Sequence, residues 1–522
     1  MKHDLVIANG QVVSGLDEAP QVTDVAIRGA TIAAIGPGLA AAARRVIQAD
    51  GCLVCPGFID MHSHSDLDLL CARGAHLKLL QGVTTEVIGN CGFSFYPVCP
   101  EHLAEAHDFV SVLFDDATAE HLCANASEYV RRVASPGTNV VSLVGHNMLR
   151  ICANGCAREL APAALSEMQA LLGRQFAGGA SGMSTGLLYT PACFADSAEL
   201  TALAAVTHAH AGLLSCHLRD EGDQLEASIA EMLAVQEATA VALQISHLKA
   251  SGRRNWGKVA AVLERLAAAA ARGRDVSFDC YPFVFGCSTL LTLLPTAVLD
   301  ADLETLCRRL LDPAMRERLR LQMTTPDSLL GAVGADRIVV ASATSTAGQR
   351  HLGQSLADGA RAEGKNVVDF VLDLAVADRG RTSIFLFQMD EDDVRRTLAH
   401  PLGLLGSDGI PVSRGTPHPR LRSAFLQMLS RYVLQEGLLP LPTAIRKLTA
   451  NPARRLRLPG RGTLAPGQAA DVVVVELGRL RPAADPFRSE PFRGVDVVVL
   501  NGQVVVENAE YTGRRAGVVL TR

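Results

Sequence analysis

The pattern of hydrophobic and polar positions divides the chain into two kinds of segment. Near both ends, short runs of alternating apolar residues are separated by glycine-containing turns, which predicts β-strands. In the long central part, short apolar runs alternate with Ala/Leu-rich stretches that favour helices. This alternation is typical of repeated βα units around a parallel sheet.

The terminal segments predict one small β domain that both ends of the chain share. The sequence Asn-Gly-Gln-Val-Val occurs at residues 9–13 and again at 501–505, which indicates that the two ends pack together. Asn-Gly is a turn signal at both places. We predict a domain formed from residues 1–56 and 455–522, with strands over residues 5–13, 25–29, 32–36, 470–475 and 495–506.

Eight apolar runs in the central part each end in polar residues, which predicts a (β/α)8 TIM-like barrel over residues 57–454. The active site of such a barrel lies at the carboxyl ends of its strands. The interval 286–400 is too long for one crossover, so we predict an inserted, lid-like segment above the barrel mouth, with its own strands at 338–342 and 383–387. The predicted barrel strands cover residues 52–59, 85–91, 139–146, 180–185, 213–217, 243–247, 276–281 and 403–408.

Six residues at these strand ends form a candidate metal site. His62 and His64 are two positions apart after an apolar strand, so their side chains point to the same face. His217 and His247 lie 30 residues apart, one βα period, at the ends of neighbouring strands. Cys91 lies in Gly-Asn-Cys-Gly and Asp408 in Ser-Asp-Gly. Taken singly, each is more typical of a hydrogen-bonded strand end; together, the nitrogen, sulfur and oxygen donors suit zinc.

Composition and charge exclude several classes of function. With 522 residues, 48% apolar and 20% charged, the chain is expected to be globular with a large core. A net charge of -5 without a dense basic cluster argues against nucleic acid, and no apolar run reaches 18 residues, so no membrane span is expected. The odd number of cysteines, 13, and the absence of an N-terminal signal pattern indicate a reducing, cytoplasmic location. The ligand is expected to be small, and the oligomeric state does not follow from the sequence.

Several motifs together resemble the amidohydrolase superfamily, specifically its D-aminoacylase (N-acyl-D-amino-acid deacylase) branch. Histidine pairs with a distant aspartate are shared by many amidohydrolases, whereas cysteine in Gly-Asn-Cys-Gly is more specific to this branch. The resemblance covers nearly the whole chain. The motifs are Pro56-Gly57-Phe58-Ile59-Asp60-Met61-His62-Ser63-His64-Ser65-Asp66, Gly89-Asn90-Cys91-Gly92, Cys216-His217-Leu218-Arg219, Ile245-Ser246-His247-Leu248-Lys249, Asp279-Cys280-Tyr281-Pro282-Phe283 and Ser407-Asp408-Gly409.

The resemblance implies a zinc-dependent hydrolase of linear amide bonds, acting on a small N-acyl-D-amino acid and releasing a free D-amino acid and a carboxylate. Cys91, His217 and His247 would hold one zinc tightly. The remaining histidines and Asp408 would form a second, weaker site, and Asp408 would be the general base and acid that moves the proton. The second set is His62, His64 and Asp408.

The resemblance also implies the residues that bind the substrate. Arg420, in His418-Pro419-Arg420, would pair with the α-carboxylate together with Tyr281 and Ser288, while Lys249 and Tyr189 would line the pocket. A surface salt bridge is the alternative role for Arg420. Lys249 suits an acidic side chain such as D-glutamate, or equally a salt bridge within the protein.

Two other functions remain open from the sequence. A cyclic-amide hydrolase of the hydantoinase or dihydroorotase type would normally carry a lysine for carboxylation at a mid-barrel strand end, and the predicted strand 180–185 has none. A non-catalytic barrel that serves as a scaffold would tolerate the loss of ligands, and none of the expected ligands is missing.

Overall fold

The computed structural model describes residues 2–16, 18–481 and 494–521. Residues 1, 17, 482–493 and 522, which belong to the predicted terminal domain, lie outside the described residues. In chain order, the strands of the described part are β1 (His3–Val12), β2 (Gln21–Arg28), β3 (Thr31–Gly36), β4 (Ala43–Gln48), β5 (Leu53–Pro56), β6 (Phe58–Asp60), β7 (Val83–Ile88), β8 (Asn139–Gly145), β9 (Gly182–Gly186), β10 (Leu213–His217), β11 (Ala242–Ile245), β12 (Val276–Cys280), β13 (Gly286–Thr289), β14 (Ile338–Ser342), β15 (Ser383–Leu386), β16 (Gly403–Leu405), β17 (Val472–Val475), β18 (Val495–Leu500), β19 (Gln503–Glu507) and β20 (Glu510–Tyr511).

Many helices begin at a side chain that caps the free backbone N–H groups of the first turn, as Asp196 does for Glu199 and Asn366 for Asp369. None of the described helices combines the length and the apolar composition needed to cross a bilayer. The α-helices are α1 (Asp66–Leu70), α2 (Ala75–Leu79), α3 (Leu103–Ser111), α4 (Ala126–Arg132), α5 (His146–Asn154), α6 (Ala164–Ala177), α7 (Ser197–Ala209), α8 (Leu225–Thr239), α9 (Val259–Ala271), α10 (Leu303–Leu311), α11 (Pro313–Met323), α12 (Leu329–Val333), α13 (Thr346–Gln349), α14 (Leu356–Ala362), α15 (Val367–Ala377), α16 (Glu391–Ala399), α17 (Arg420–Gln427), α18 (Leu441–Leu448) and α19 (Ala450–Arg455), with a π-helical segment, Met428–Gln435, after α17.

Eight parallel strands form the central barrel in the order β6-β7-β8-β9-β10-β11-β12-β16, which confirms the predicted fold class. The first and last strands meet where Met61 N donates to Leu405 O at 3.1 Å and Asp408 N donates to His62 O at 2.7 Å. At the amino ends of the strands the barrel interior is apolar, and Ala453 of α19 and Leu456, the residue after that helix, pack against it. The polar residues therefore collect at the opposite, carboxyl end.

The predicted strand over residues 52–59 is wrong as a single element. The chain leaves β5 in the terminal sheet at Pro56 and enters β6 in the barrel at Phe58. Gly57 makes this crossing, and a Cβ atom there would lie only 2.1 Å from Thr84 Oγ1. A continuous apolar run conceals this change of sheet because both strands are buried.

The terminal sheet unites both ends of the chain in the order β20-β19-β18-β17-β5-β1-β2-β3, with β4 on β1. Its core is built from apolar side chains of both ends, among them Ile7 and Val472. The turn at Asn501-Gly502 joins β18 and β19 as predicted, with φ of 48° and 79°. The turn predicted at Asn9-Gly10 is wrong, because β1 continues through it with a register shift beside Asn9, a β-bulge.

Between β12 and β16 the chain forms a three-stranded antiparallel sheet in the order β13-β15-β14, together with α10 to α15. The strands predicted at 338–342 and 383–387 are present as β14 and β15. Helix α16 packs against α9, β12 and β16 and so serves as the last crossover of the barrel. The extra sheet and helices therefore end before α16, inside the segment 286–400 predicted as an insertion.

A buried ionic cluster joins the first and last strands of the barrel. Lys78 Nζ lies 2.7 Å from both Asp60 Oδ2 and Ser407 Oγ, and 3.6 Å from Glu86 Oε2. Asp60 Oδ1 accepts Ser407 N at 2.7 Å and His62 N at 3.2 Å. Burial alone would lower the pKa of Lys78, but Asp60 and Glu86 raise it above its ordinary value, so the ammonium stays charged.

We expect Lys78→Met to lower the free energy of unfolding by about 3–5 kcal/mol, because it leaves two buried carboxylates without their cation. The midpoint of urea denaturation would measure the loss. Arg308→Met, which removes an exposed ion pair with Glu304, is the matched control and should change stability by less than about 1 kcal/mol. Equal midpoints for the two variants would contradict a structural role for the cluster.

Candidate metal centre

The barrel strands bring six predicted metal ligands to one buried place. Each ligand stands at or just beyond the carboxyl end of a different strand, except for the histidine pair that follows β6. All six side chains are buried. They are His62 and His64 after β6, Cys91 after β7, His217 at the end of β10, His247 after β11 and Asp408 after β16.

The sulfur of Cys91 lies between two imidazoles. Cys91 Sγ is 3.2 Å from His62 Nε2 and 3.4 Å from His247 Nε2. Two ligands of one tetrahedral zinc, with Zn–S near 2.3 Å and Zn–N near 2.1 Å, are about 3.6 Å apart. The separation of these atoms is therefore close to what a single ion requires.

The donor atoms form three overlapping groups, each with its atoms within 4.8 Å of one another. His62 belongs to the first and second groups and His247 to the first and third, so the three groups form one continuous cluster. The grouping differs from the expected one, because Cys91 is grouped with His62 and His247 rather than with His217. The groups are His62–Cys91–His247, His62–His64–Asp408 and His217–Glu221–His247.

Three of the ligand residues have an unusual backbone. Cys91, His247 and Asp408 adopt φ of 55°, 32° and 49°, in the left-handed region that non-glycine residues rarely enter. The hydrogen bond from Asp408 N to His62 O helps to hold one of them in place. Such backbone strain is common at functional sites, where the surrounding structure fixes the direction of a side chain.

Asp279, in the motif Asp279-Cys280-Tyr281-Pro282-Phe283, orients two of the histidines. No role for Asp279 was predicted from the sequence. Its Oδ1 lies 3.1 Å from His62 Nδ1 and accepts His247 N at 2.8 Å, while Oδ2 accepts Gln244 Nε2 at 3.0 Å. A carboxylate on Nδ1 leaves Nε2 of His62 free to bind a metal. The position of Asp279 near the end of a predicted barrel strand was the signal for this role.

Glu221 is a second carboxylate of the site that the sequence analysis missed. Its Oε1 lies 3.0 Å from His247 Nδ1 and 2.5 Å from Lys249 Nζ, and its Oε2 lies 3.8 Å from His217 Nε2. It therefore contacts two predicted ligands and the predicted pocket lysine. Its place four residues after His217, in a polar run beyond a strand end, was the available signal.

The imidazoles beside Glu221 are in the form that binds metals. Burial lowers the pKa of His217 and of His247 well below the ordinary value, so both rings are neutral near pH 7. Neither ring nitrogen of His217 has a hydrogen-bond partner among the described residues. A buried neutral imidazole with free nitrogen atoms fits a metal ion, as does the thiol of Cys91, whose pKa burial raises until a cation displaces the proton.

Asp408 stays ionised in the same environment. Burial alone would raise its pKa, but Arg420, His247 and His64 outweigh burial and hold the pKa well below its ordinary value. Asp408 Oδ1 lies 3.2 Å from His64 Nε2, and Oδ2 lies 2.8 Å from Arg420 Nη1. Asp408 is therefore a carboxylate near pH 7, the form that can accept a proton.

The predicted substrate residues line one cavity of about 140 Å³ beside the ligands. The Arg420 guanidinium is buried, so the alternative of a surface salt bridge is wrong, and it stacks 4.6 Å from the centre of the Tyr281 ring. Ser288 Oγ lies 3.4 Å from Tyr189 OH. Lys249 also lines the cavity, but Glu221 neutralises it.

The chain is similar to known proteins over its full length. The N-acyl-D-glutamate deacylase of Alcaligenes xylosoxydans xylosoxydans is 36% identical and aligns with 100% of this chain and 97% of its own length. The D-aminoacylase of the same organism is 33% identical over 99% of this chain and 98% of its own length.

Solved structures add to the comparison. The N-acyl-D-glutamate deacylase of Bordetella bronchiseptica, complexed with zinc and a phosphonate mimic of the tetrahedral intermediate, shows a TM-score of 0.86 at 32% identity, with 100% of both chains covered. An L-hydantoinase of Arthrobacter aurescens reaches a TM-score of 0.56 at 17% identity, which is a likeness of fold.

The sequence model of the amidohydrolase family matches residues 45–506, which is most of the chain. The matched range includes the whole barrel, the gathered histidine, cysteine and aspartate donors, and β5, β17 and β18 of the terminal sheet. The chain therefore belongs to the amidohydrolase family.

Proposed function

We propose that this protein is a zinc-dependent hydrolase that cleaves the amide bond of N-acyl-D-amino acids to give a free D-amino acid and a carboxylate. The observation that carries the proposal is the contact of Cys91 with two imidazoles beside the buried Asp408–Arg420 pair. The names of the full-length relatives, N-acyl-D-glutamate deacylase and D-aminoacylase, support the D configuration and the linear amide.

Cys91, His217 and His247 would hold one zinc tightly, and His62, His64 and Asp408 would form a second, weaker site. The contact of Cys91 Sγ with His247 Nε2, the neutral imidazoles of His217 and His247, and the free nitrogens of His217 suit this ion. Bound zinc supplies Lewis-acid chemistry: it makes water acidic enough to attack near neutral pH and polarises the amide carbonyl.

Asp408 moves the proton of the reaction. As a carboxylate it accepts one proton from the attacking water, and it then donates that proton to the leaving amine nitrogen as the C–N bond breaks. Arg420 and the imidazoles lower the pKa of Asp408 and so keep it in the carboxylate form, which is the form that can accept a proton. Proton transfer of this kind typically contributes about 10²–10⁴ in rate.

Arg420 orients the substrate through its α-carboxylate. A guanidinium binds a carboxylate by two parallel hydrogen bonds, and Tyr281 and Ser288 offer hydroxyl groups to the same carboxylate. Arg420 also lies 2.8 Å from Asp408, so a bound substrate carboxylate shares the guanidinium with Asp408. Sharing weakens the hold of Arg420 on Asp408 and makes Asp408 a better base when substrate is present.

The two alternative functions receive less support. A cyclic-amide hydrolase of the hydantoinase or dihydroorotase type would normally use a lysine at a mid-barrel strand end, and β9, Gly182–Gly186, contains none. A non-catalytic scaffold has no need for buried ligands held by Asp279 and Glu221. We further propose a cytoplasmic, reducing location, which the exposed thiol of Cys71 and the buried thiol of Cys91 support.

Hydrolysis of N-acetyl-D-amino acids by the purified, zinc-loaded protein tests the proposal directly. We expect release of free amine from N-acetyl-D-amino acids, at least about 100-fold slower release from the L-isomers, and no opening of hydantoin or dihydroorotate. Turnover of the cyclic amides alone would favour the hydantoinase-type alternative. An inactive protein that retains its metal would favour the scaffold.

Cys91→Ala should remove the tightly bound zinc, because the remaining neutral donors hold the ion less strongly than a thiolate does. Metal analysis after gel filtration would measure the loss, and the activity should fall with the metal content. Cys152→Ala, which removes another buried thiol in α5, is the matched control and should keep both the zinc content and the activity. Full zinc content in Cys91→Ala would take Cys91 out of the ligand set.

Asp408→Asn should keep the tightly bound zinc and lower kcat by about 10²–10⁴, because an amide cannot accept the proton. Metal analysis and kcat would be measured on the same sample. Asp275→Asn, at the opposite end of the barrel strands where the carboxylate pairs with Arg455, is the control and should be nearly as active as the wild type. Undiminished turnover in Asp408→Asn would exclude the proton-transfer role.

A further inference from the structure

The lysine that lines the substrate cavity is already neutralised. Lys249 Nζ lies 2.5 Å from Glu221 Oε1, and its side chain is only 4% exposed. Glu221 in turn is held at 3.0 Å from His247 Nδ1, so it cannot leave Lys249 without losing that contact. Lys249 is therefore a poor partner for an acidic substrate side chain.

The two arginines at the outer wall of the cavity are also paired. Arg219 donates to Glu231 Oε1 at 2.9 Å and to the carbonyl groups of Cys193 and Ala195 at 2.7 and 2.8 Å. All three guanidinium nitrogens of Arg219 are thus engaged, since its Nε also donates to Glu231.

Arg254, the second outer arginine, donates from Nε to Asp223 Oδ1 at 2.7 Å and from Nη2 to Asp327 Oδ1 at 3.1 Å. The remaining cation, Arg420, pairs with Asp408 and is assigned to the α-carboxylate. Among the described residues that line the cavity, four Lys and Arg side chains therefore face five carboxylates. The carboxylates are Asp220, Glu221, Asp223, Asp327 and Asp408.

A second cavity, of about 80 Å³, continues from the first and is more apolar. The two cavities share the wall residues Phe93, Leu188, Tyr189 and Thr292. The charged residues described in the second wall are all acidic, Glu105, Asp108 and Asp302 among apolar side chains of α3 and α10. A carboxylate that enters this space would lose its hydration and gain no cation, which is strongly unfavourable.

The second cavity lies on the side of the substrate's amino-acid part. Ser288, assigned to the α-carboxylate, lies 3.4 Å from Tyr189 OH, and Tyr189 is in the wall that both cavities share. The next residue, Thr289, lines the second cavity. The side chain leaves the carbon that carries the α-carboxylate, so it is closer to this opening than the acyl group, whose carbonyl lies at the metal ligands.

We infer that the enzyme selects N-acyl-D-amino acids with uncharged, apolar side chains, which occupy the second cavity, and that it discriminates against N-acyl-D-glutamate and N-acyl-D-aspartate. This inference rests on the proposed function. The inferred substrate preference differs from that of the relatives that are named for acidic substrates.

The kcat/KM values of the zinc-loaded, full-length protein test the inference. We expect N-acetyl-D-leucine, N-acetyl-D-methionine and N-acetyl-D-phenylalanine to exceed N-acetyl-D-glutamate and N-acetyl-D-aspartate by at least about 100-fold. Equal or greater kcat/KM on the acidic substrates would overturn the inference and leave the proposed function intact. No hydrolysis of any N-acetyl-D-amino acid would remove both.

Thr292, in the shared wall, allows a paired test of charge. Thr292→Lys should raise kcat/KM on N-acetyl-D-glutamate by at least about 10-fold relative to Thr292→Met, which has similar length and no charge. A change of the same size in both variants would contradict the argument from charge.

The Met variant also identifies the occupant of the second cavity. Thr292→Met narrows the shared opening, so it should lower kcat/KM on N-acetyl-D-phenylalanine relative to N-acetyl-D-alanine. The preference between acetyl and hexanoyl groups on D-alanine should stay unchanged. If Thr292→Met instead changed the preference between acetyl and hexanoyl groups and left the ratio of N-acetyl-D-phenylalanine to N-acetyl-D-alanine unchanged, the cavity would hold the acyl chain, and the inference would be overturned.

Discussion

The buried carboxylate of Asp60 is the constraint on which the rest of the structure depends. It lies at the seam where the first barrel strand meets the last, and it is held by Lys78, by the backbone of Ser407 and by the backbone of His62. The seam places the histidine pair after β6 beside Asp408 after β16, although about 345 residues separate them. A carboxylate without solvent needs every one of these partners, so the register of the two strands cannot slip without a large loss of free energy.

Burial also determines which residues of the metal centre are charged. Burial lowers the pKa of His217 and of His247, whereas Cys91 and Asp279 outweigh burial and raise the pKa of His62. Burial raises the pKa of the Cys91 thiol, and Asp408 is ionised because Arg420 and the imidazoles outweigh its burial. Glu221 and Asp279 fix the orientation of the rings through Nδ1 and backbone contacts. The left-handed backbone of three ligand residues shows that this arrangement is held by its surroundings rather than by local preference.

The proposed reaction and the inferred specificity depend on different parts of the site. In the proposed function, the donor atoms at the strand ends determine the metal and the reaction. The full-length relatives are 33–36% identical to this chain. In the inferred specificity, the choice of substrate side chain depends on whether a cation in the cavity is free, and here each of the four Lys and Arg side chains has a partner. The presence of Lys249 in its motif therefore does not indicate an acidic substrate, because its contact with Glu221 occupies the charge.

The sequence by itself determined the classes of element and most of the site. Periodicity along short segments identifies the barrel strands and the strands of the terminal sheet, and the strand ends identify His62, His64, Cys91, His217, His247 and Asp408, because these signals are local. Only the tertiary structure decided where Gly57 crosses between sheets, why β1 continues through Asn9-Gly10, and that Glu221 neutralises Lys249. It also decided that Cys91 lies against His62 as well as His247. Each of these depends on contacts between segments that are separate in sequence, and hydrophobic periodicity carries no information about such contacts.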